Sequence, residues 1–406
     1  MTEFLRATLE DLAADAPLPA DLASGALALA RIRRRRVWLA SAAATVFAGG
    51  GIVAAATAIP VSGHGAAPVS RVPGIALPSR ITINADAAPL VRSPIGRSSI
   101  VFETGDEQGV AVDPAGRAYR AVVAPEGREI YLGDASPVLS PDGLTVATSF
   151  GLPSMPGDDA LTYPGEVRLQ DMATGATTTV PIGGPRIFES LAWAPDGSAL
   201  AGEVATRDPE SGNYSGLGIG LFDVASGHFQ LLADTSDAAR SSAVAWSPDS
   251  RSIAYSTEVG VSVVDLTRGV VRALPTPQGA SQDLPDAVAA NGWSPDGRVL
   301  AIRVSTAERE AIIFVDPQTG AVQPGTGQLE ISHSPIDSAS LVLGWLNAST
   351  ICVAPQQLPG AIRALPISGA AAFDLVAVEG TGFVPRMAVA RDALRSGRVN
   401  RVSGSS

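Results

Sequence analysis

The chain has 406 residues, 46% of them apolar, which is enough material for a sizeable core. All 29 basic residues are arginine, and there are 40 acidic residues. The resulting formal net charge of −11 argues against nucleic acid and anionic membrane surfaces as partners. A single cysteine, Cys352, excludes an intramolecular disulfide.

The amino-terminal segment predicts a cytoplasmic tail and one transmembrane helix. Residues 1–36 form the tail, which ends in a cluster of arginines. Residues 37–59 carry no charge, and as a helix they would extend about 35 Å, more than a hydrocarbon core of about 30 Å. Because the arginines and Trp38 lie at the amino-terminal end of this stretch, we expect a single-pass plasma-membrane protein with a cytoplasmic amino terminus and an extracytoplasmic remainder.

A second interpretation of the same segment is an export signal that is cleaved. Arg35 and Arg36 precede the apolar stretch as in a twin-arginine signal, and residues 56–58, Ala-Thr-Ala, would suit a signal peptidase. The protein would then be secreted. The apolar stretch is longer than the about 7–15 residues of a typical signal, which favours the anchor.

Residues 60–79, rich in proline, glycine, alanine and serine, are predicted to be a linker. Beyond them two phrases recur with a period of about 50 residues, which indicates an array of repeated units. The first reads Trp-Ser-Pro-Asp-Gly in its full form, and its copies occupy residues 139–143, 193–197, 246–250, 293–297 and, degenerately, 345–349. The second reads Asp-x-x-x-Gly and occupies residues 171–175, 223–227, 265–269 and 316–320.

Each phrase has the chemistry of a tight turn between two short strands. Proline suits the second position of a type I turn, and glycine suits the fourth, where φ is often positive. In one unit Ser250 replaces that glycine, and a left-handed conformation there would cost about 1–2 kcal/mol. In the same unit strands are predicted at residues 243–246, 252–256, 261–265 and 270–274.

Each unit thus contains four strands, joined by a turn, a loop and a second turn, which is the order of a four-stranded antiparallel blade. Six such units predict an all-β, six-bladed β-propeller over residues 80–395. The blades are expected near residues 80–135, 136–184, 185–240, 241–283, 284–335 and 336–390, and residues 396–406 are expected to be disordered. The first and last blades are expected to share strands that close the ring. Four tryptophans at equivalent positions are predicted to be buried between blades, namely Trp193, Trp246, Trp293 and Trp345.

The paired phrases resemble those of the TolB-like, WD-repeat-like propeller family over residues 98–355. The resemblance implies a six-bladed exported propeller that binds proteins or small ligands, here as a membrane-anchored bacterial member. Related propellers accompany prolyl-oligopeptidase-type peptidases, but no Gly-x-Ser-x-Gly elbow or hydrolase domain is seen here. The layout of tail, helix and exterior domain also resembles membrane-bound anti-sigma regulators, although residues 1–36 contain no zinc-binding His or Cys.

Residues that could carry chemistry are few. The histidines His64, His228 and His333 lack metal-ligand spacing, so we expect no metal, no cofactor and no catalytic residue. The recurring turn aspartates are interpreted as turn formers.

The long loops lie at the opposite ends of the strands, and variable loops on a rigid scaffold commonly bind ligands. The candidate ligand-binding residues of these loops are Asp158, Asp159, Asp208, Glu210, Asn213 and Tyr214, whose acids could alternatively hold a cation.

The leading functional hypothesis is a membrane-anchored, extracytoplasmic and non-enzymatic binding or scaffold module for a protein, peptide or cell-envelope ligand. One alternative is an exported propeller enzyme, a hydrolase or lyase, with its site at the channel mouth. Another is a transmembrane signalling regulator with a propeller sensor. Acids or histidines that converge on the axis from several blades would favour the enzyme, and the sequence shows no such periodic residue.

Overall fold

The computed structural model describes most of the chain beyond residue 74. The described residues are 75–83, 86–104, 109–122, 137–150, 165–184, 186–207, 214–238, 243–257, 260–275, 287–305, 310–326, 329–331, 342–355, 357–380 and 386–400. The chain divides into two compact units, Met1–Gly63 and His64–Ser406, and every described residue lies in the second. Within that described part, no helix has the length and apolar character needed to cross a membrane. The predicted transmembrane helix, residues 37–59, lies outside it.

The described part of the chain consists almost entirely of short strands. In chain order they are β1 (Leu77–Pro78), β2 (Arg80–Thr82), β3 (Ala88–Pro89), β4 (Ile100–Glu103), β5 (Gly109–Val112), β6 (Tyr119–Val122), β7 (Val138–Leu139), β8 (Thr145–Phe150), β9 (Glu166–Asp171), β10 (Thr177–Pro181), β11 (Arg186–Trp193), β12 (Ala199–Arg207), β13 (Tyr214–Asp223), β14 (Phe229–Leu231), β15 (Val244–Trp246), β16 (Ser252–Thr257), β17 (Gly260–Asp265), β18 (Val270–Ala273), β19 (Ala287–Trp293), β20 (Leu300–Ser305), β21 (Glu310–Val315), β22 (Leu329–Ile331), β23 (Val342–Asn347), β24 (Thr350–Val353), β25 (Gly360–Pro366), β26 (Phe373–Glu379), β27 (Met387–Val389) and β28 (Val399–Asn400). The described residues also include a 3-10 turn, Leu90–Arg92, and a helix, α1 (Arg391–Ser396).

Four blades are made of consecutive strands in antiparallel order. Blade 2 contains β7 to β10, blade 3 contains β11 to β14, blade 4 contains β15 to β18, and blade 5 contains β19 to β22. In blade 4 each predicted strand agrees with the observed strand to within one residue at its ends. The agreement follows from the two tight turns, which fix one end of each of the four strands.

Blades 1 and 6 combine strands from distant parts of the chain. Blade 1 pairs β27 with β4, β5 and β6, and blade 6 contains β23 to β26 together with the amino-terminal strand β2. The strands β27, β7, β11, β15, β19 and β23 approach one another in this order, and β23 approaches β27 in turn. These six strands therefore form an inner ring around the propeller axis, and the carboxyl-terminal strand β27 closes it.

A strap of short amino-terminal elements reinforces this closure. The strand β1 pairs in parallel with β28, β2 extends the outer edge of blade 6, and β3 extends the outer edge of blade 1. Each blade therefore ends in a very short edge strand, which offers few unpaired backbone groups to another chain. β1 falls in the predicted linker, residues 60–79, and β28 falls in the segment predicted to be disordered, residues 396–406. The two segments hydrogen-bond to each other through their backbones. One such bond runs from Leu77 N in β1 to the carbonyl oxygen of Arg398, just before β28, over 2.9 Å.

The repeated tryptophans are buried between blades, and the prediction for them is confirmed. Their exposed fractions lie between 4% for Trp345 and 8% for Trp193. Trp246 of blade 4 belongs to one apolar cluster with Ala192 and Ile219 of blade 3. Each indole therefore fills the space between its own blade and the preceding one.

The tight turns have the predicted conformation, including the one that lacks glycine. In the turns that end at Gly143, Ser250 and Gly297, the N–H of the fourth residue donates to the carbonyl oxygen of the first, over 2.9–3.0 Å. The φ angle is 73° at Gly143 and 60° at Ser250, so the serine keeps the left-handed conformation. All these turns lie at one end of the blades, which we call the turn face. The opposite end is the loop face.

Candidate functional site

Of the six predicted ligand-binding residues, the structure describes only the backbone of Tyr214. Asp158, Asp159, Asp208, Glu210 and Asn213 lie outside the described residues. Tyr214 is the first residue of β13, where its backbone pairs with Arg207, the last residue of β12. Residues 208–213 therefore connect the two strands at the end opposite the Trp193 turn.

The linker between blades 3 and 4 lies at the same face and carries two exposed carboxylates, Asp234 and Asp237. Thr235, between them, is fully buried and fixes the linker to blade 3. Its hydroxyl accepts a hydrogen bond from Ile219 N at 2.9 Å and donates one to Leu232 O at 3.0 Å. The backbone that presents the two carboxylates is thus held by buried hydrogen bonds.

Blade 4 holds the other side of this linker. The hydroxyl of Tyr255, whose side chain is fully buried, donates to Asp237 Oδ1 over 3.1 Å. Burial raises the pKa of Tyr255 above its usual range, and the negative charge of Asp237 raises it further, so the phenol remains a proton donor at neutral pH. A backbone bridge between Ala238 and Thr257 continues the attachment. Sequence analysis missed Asp237, although the polar cluster after β14 was a visible loop signal.

A second polar feature crosses the middle of the blades. In blades 1 to 5, the last paired residue of the inner strand before the turn pairs with one residue of the second strand. That inner-strand residue is a tryptophan in blades 3 to 5. Three residues further along the second strand, blades 1 to 5 carry a polar side chain. These residues, in blade order, are Glu103, Ser149, Glu203, Ser256 and Arg303, which we call the polar belt.

The serines of the polar belt join neighbouring blades. The hydroxyl of Ser149 donates to the carbonyl oxygen of Phe188 in the inner strand of blade 3. The hydroxyl of Ser256 accepts from Val288 N in the inner strand of blade 5 at 3.0 Å. Phe188 and Val288 each lie five residues before the tryptophan of their own blade, so the two contacts are repeat equivalents. The serine positions of the belt are therefore structural.

Blade 3 differs because two carboxylates lie opposite each other. Glu203 of the polar belt is fully buried, and it pairs across the strands with half-buried Glu189 of the inner strand. The next residue, Ser190, has a φ of 51°, and the register shifts between Glu189 and Ala192. Sequence analysis missed this pair, although a single acid in the otherwise apolar stretch 199–205 was a usable signal. That Glu189 and Glu203 lie opposite each other depends on the strand register, which the sequence does not give.

The recurring turn aspartates are occupied by their own turns. The carboxylate of Asp142 accepts hydrogen bonds from the Ser140 hydroxyl at 2.7 Å and from Leu144 N at 3.0 Å. The aspartates of the second phrase are bound in a similar way. The carboxylate of Asp265 accepts hydrogen bonds from the Thr267 hydroxyl at 2.6 Å and from Thr267 N at 2.9 Å. The hydrogen bond from the Thr267 hydroxyl lowers the pKa of Asp265, and the bond from the Ser226 hydroxyl lowers the pKa of Asp223. These acids therefore act as turn formers.

Among the described residues, the remaining candidate groups do not assemble into a reactive site. Cys352 is buried in β24, and burial raises the pKa of its thiol to about 12, so it is not a thiolate at neutral pH. His228 is exposed beside a tight turn, while His64 and His333 lie outside the described residues. Among the residues that the structure describes, no group of three His, Cys, Asp or Glu side chains could hold a metal ion.

The turn face near the axis is partly covered by α1. This helix directly follows the inner strand β27 and packs against the inner strand β23 of blade 6. A Cβ placed on Gly344 of β23 would lie 2.8 Å from a methyl carbon of Leu394. The N–H of Asp392 donates to Pro141 O in the turn of blade 2 at 2.9 Å. The helix therefore lies beside the turn-face ends of three neighbouring inner strands.

The strand pairing and the inner ring define the chain as a six-bladed β-propeller. No protein-family model matches the sequence, and no curated protein matches it. Several solved structures are similar. A candidate TolB from Agrobacterium tumefaciens has 18% identity and a TM-score of 0.41, over 72% of this chain and 98% of that one.

Two similar solved structures are enzymes. An oligogalacturonate lyase from Vibrio parahaemolyticus has 11% identity and a TM-score of 0.43, over 75% of this chain and 80% of that one. A candidate dipeptidyl aminopeptidase IV from Bacteroides ovatus has 14% identity and a TM-score of 0.39, over 70% of this chain and 47% of that one. No activity follows from these likenesses, since propellers of this kind serve both binding proteins and enzymes.

Proposed function

We propose that the chain is a non-enzymatic binding module whose partner docks on the loop face where blades 3 and 4 meet. The observation that supports this most is the linker between these blades. It presents Asp234 and Asp237 to solvent on a backbone that Thr235 and Tyr255 hold through hydrogen bonds. Exposed polar groups on a rigid support suit recognition, because little conformational entropy is lost on binding.

The charge of this region indicates the chemistry of the partner. The segment of residues 208–213, which joins β12 to β13 in sequence, contains Asp208 and Glu210. Residues 37–406 carry 35 acids against 23 arginines. Such a surface favours a partner segment with exposed arginine or lysine, because complementary charge accelerates association and selects the partner. We therefore propose a basic segment of a protein or peptide as the ligand.

The carboxylates Glu189 and Glu203 are the observation that would favour the enzyme alternative. A general acid or base must come within about 2.6–3.2 Å of the atom it protonates or deprotonates. Glu203 has no exposed surface, so a substrate in the channel has no direct access to it. This burial, together with the occupation of the turn aspartates by their own turns, supports the binding module over the hydrolase or lyase.

We also propose that residues 37–59 anchor the propeller outside the plasma membrane, because they carry no charge and follow an arginine cluster. Protease added to intact cells should then remove the propeller and spare the cytoplasmic tail. A mature protein that begins near Ile59 and accumulates in the medium would instead indicate a cleaved signal.

The docking proposal is tested with the full-length chain in detergent micelles. The double variant Asp234→Asn, Asp237→Asn removes two charges and retains an oxygen acceptor for the Tyr255 hydroxyl. Fluorescence anisotropy with an arginine-rich peptide should show affinity weaker by about tenfold, equivalent to about 1.4 kcal/mol. Asp374→Asn, an exposed acid on blade 6, is the matched control and should bind like the parent. Equal affinity of the double variant and the parent would contradict the proposal.

A further inference from the structure

The linker between blades 3 and 4 contains a left-handed residue, Asp234, with a φ of 57°. This conformation is uncommon in residues other than glycine, and it persists where the surrounding contacts impose it. The linker is attached on both sides of Asp234. Leu232 N donates to the carbonyl oxygen of Ile219 in β13 over 2.8 Å, and Ala238 N donates to the carbonyl oxygen of Thr235 over 3.1 Å. The contacts of its neighbours therefore set the conformation of Asp234.

Thr235 makes the buried contacts of this turn. Its side chain has no exposed surface, and its hydroxyl accepts from Ile219 N over 2.9 Å and donates to Leu232 O over 3.0 Å. One hydroxyl thus joins the linker both to β13 and to the linker's own first residues. Removal of the hydroxyl would leave the buried N–H of Ile219 without this acceptor, which is costly because the group is shielded from water.

The strand β13 is shaped to admit Thr235. Gly218 has a φ of 124°, and a Cβ placed on it would lie 2.6 Å from Thr235 Oγ1 and 2.9 Å from the carbonyl oxygen of Thr235. The pairing of β12 with β13 shifts register between Val204 and Ala205, directly opposite Gly218. Glycine is therefore required at residue 218, both for its φ and for the close approach of the linker.

The hydroxyl at this position is particular to the linker between blades 3 and 4. Thr235 lies twelve residues after the aspartate that begins the second phrase of its blade. The residues at the same distance in blades 2 and 4 are Gly183 and Pro277, and neither has a hydroxyl. The repeat itself therefore does not require the contacts that Thr235 makes.

We propose that Thr235 is a positioning residue for the docking surface, a role that rests on the binding function proposed above. Its hydroxyl fixes the turn at Asp234 from the side of blade 3, and the Tyr255 hydroxyl holds Asp237 from blade 4 over 3.1 Å. Both exposed carboxylates are thereby ordered before a partner arrives, so a bound basic segment is released more slowly. Thr235 carries no charge, so it does not affect the electrostatic steering that sets the rate of association.

The test measures binding kinetics of the arginine-rich peptide to the full-length chain in detergent micelles, by stopped-flow fluorescence anisotropy. Thr235→Val replaces the hydroxyl by a methyl group of similar size. It should raise the dissociation rate about fivefold or more, and it should leave the association rate within about twofold of the parent at every salt concentration. Thr235→Ser restores the hydroxyl and should restore most of the parent's dissociation rate. Thr350→Val, at another buried threonine in β24 of blade 6, is the matched control and should bind like the parent.

A second readout needs no peptide. A nitroxide label is attached through Ser236→Cys, at an exposed position of the linker, while Cys352 is buried and should not react. The electron paramagnetic resonance spectrum should show a more mobile label when Thr235→Val is added, and no change when Thr350→Val is added. If Thr235→Val does not fold, Thr235→Ala takes its place in both measurements, because its smaller side chain leaves room for water at the N–H of Ile219.

The outcomes separate the positioning role from the docking function. A dissociation rate of Thr235→Val equal to that of the parent would overturn the positioning role, and the docking function would stand if Asp234→Asn, Asp237→Asn still weakens binding. A dissociation rate raised as much by Thr235→Ser as by Thr235→Val would also overturn it, because the hydroxyl would then not be the cause. If the parent does not bind the peptide, the docking function fails, and equal label mobility in parent and Thr235→Val would show that Thr235 does not hold the linker.

Discussion

The indole nitrogen of Trp246 donates a hydrogen bond to the backbone carbonyl oxygen of Ala192 over 3.0 Å, which joins blade 4 to the inner strand of blade 3. Trp193 donates in the equivalent way to Val138 of blade 2 over 3.2 Å. Trp293 donates instead to Gly297 in its own turn. In blade 6 the Nε1 atom of Trp345 is buried with no hydrogen-bond partner within the described residues. Equivalent tryptophans therefore contribute differently to the joins between blades.

The first prediction follows from this difference. Trp246→Phe keeps an aromatic ring but leaves the carbonyl oxygen of Ala192 without the indole donor. Trp345→Phe removes a donor that has no acceptor among the described residues. Urea unfolding should show a larger loss of unfolding free energy for Trp246→Phe, by about 1–2 kcal/mol. Equal losses in the two variants would contradict this account of the joins.

The second prediction concerns the size of the buried ring. Trp246→Ala should cost about 3–5 kcal/mol, because a buried aromatic side chain is lost and a cavity remains. His228→Ala, at an exposed position beside a turn, should change stability by less than about 0.5 kcal/mol. Thermal unfolding measures both, and similar effects of the two substitutions would mean that the blade core is misassigned.

The third prediction concerns the left-handed serine. Ser250→Gly should stabilise the propeller by up to about 1 kcal/mol, because relief of the left-handed strain exceeds the added backbone entropy of glycine in the unfolded chain. The reverse change, Gly197→Ser, serves as the control. A Cβ at Gly197, with φ of 75°, meets nothing within 4 Å, so strain alone should destabilise this variant. Stabilisation by Gly197→Ser would refute the strain argument.

The fourth prediction is a dependence on pH. The Thr267 hydroxyl lowers the pKa of Asp265, so this bond stabilises the fold above the usual aspartate pKa of about 4 and is lost as the pH falls through the lowered value. Thr267→Ala should therefore destabilise at neutral pH, and the difference from the parent should shrink in acid. In an Asp265→Asn background the same substitution should show no such pH dependence. A difference that grows in acid would contradict the assignment.

Much of the fold could be predicted because each tight turn is encoded locally. The residues 247–250 form the turn, Trp246 precedes it, and the apolar residues after it form β16, all within one short stretch. The closure of the ring is different. The inner strand of blade 1, Met387–Val389, lies at the far end of the chain from its partner Ile100–Glu103, and no local pattern joins them.

The polar residues inside the blades were less predictable than the turns, since their placement depends on strand register. The polar belt becomes visible only when residues are counted from the pairing of Trp193 with Leu200 and its equivalents. Register shifts occur beside Ser190 and Asn291, both with φ of 51°. Serine seldom adopts this left-handed conformation, whereas asparagine is enriched in it. Ser190 therefore gave no signal of the shift in blade 3, and Asn291 alone gave only a weak one for blade 5.

The most direct test of the central claim replaces the loop of residues 208–213 with a Gly-Ser linker of equal length, between Arg207 and Tyr214. Closure of a surface loop of equal length changes the free energy little, at about 0.6 kcal/mol per doubling of length, so the propeller should stay folded. The account predicts that this variant unfolds at nearly the parent temperature and loses affinity for the arginine-rich peptide. Unchanged affinity in a fully folded variant, together with lost affinity on replacement of the turn at residues 247–250, would place binding on the turn face and contradict the account.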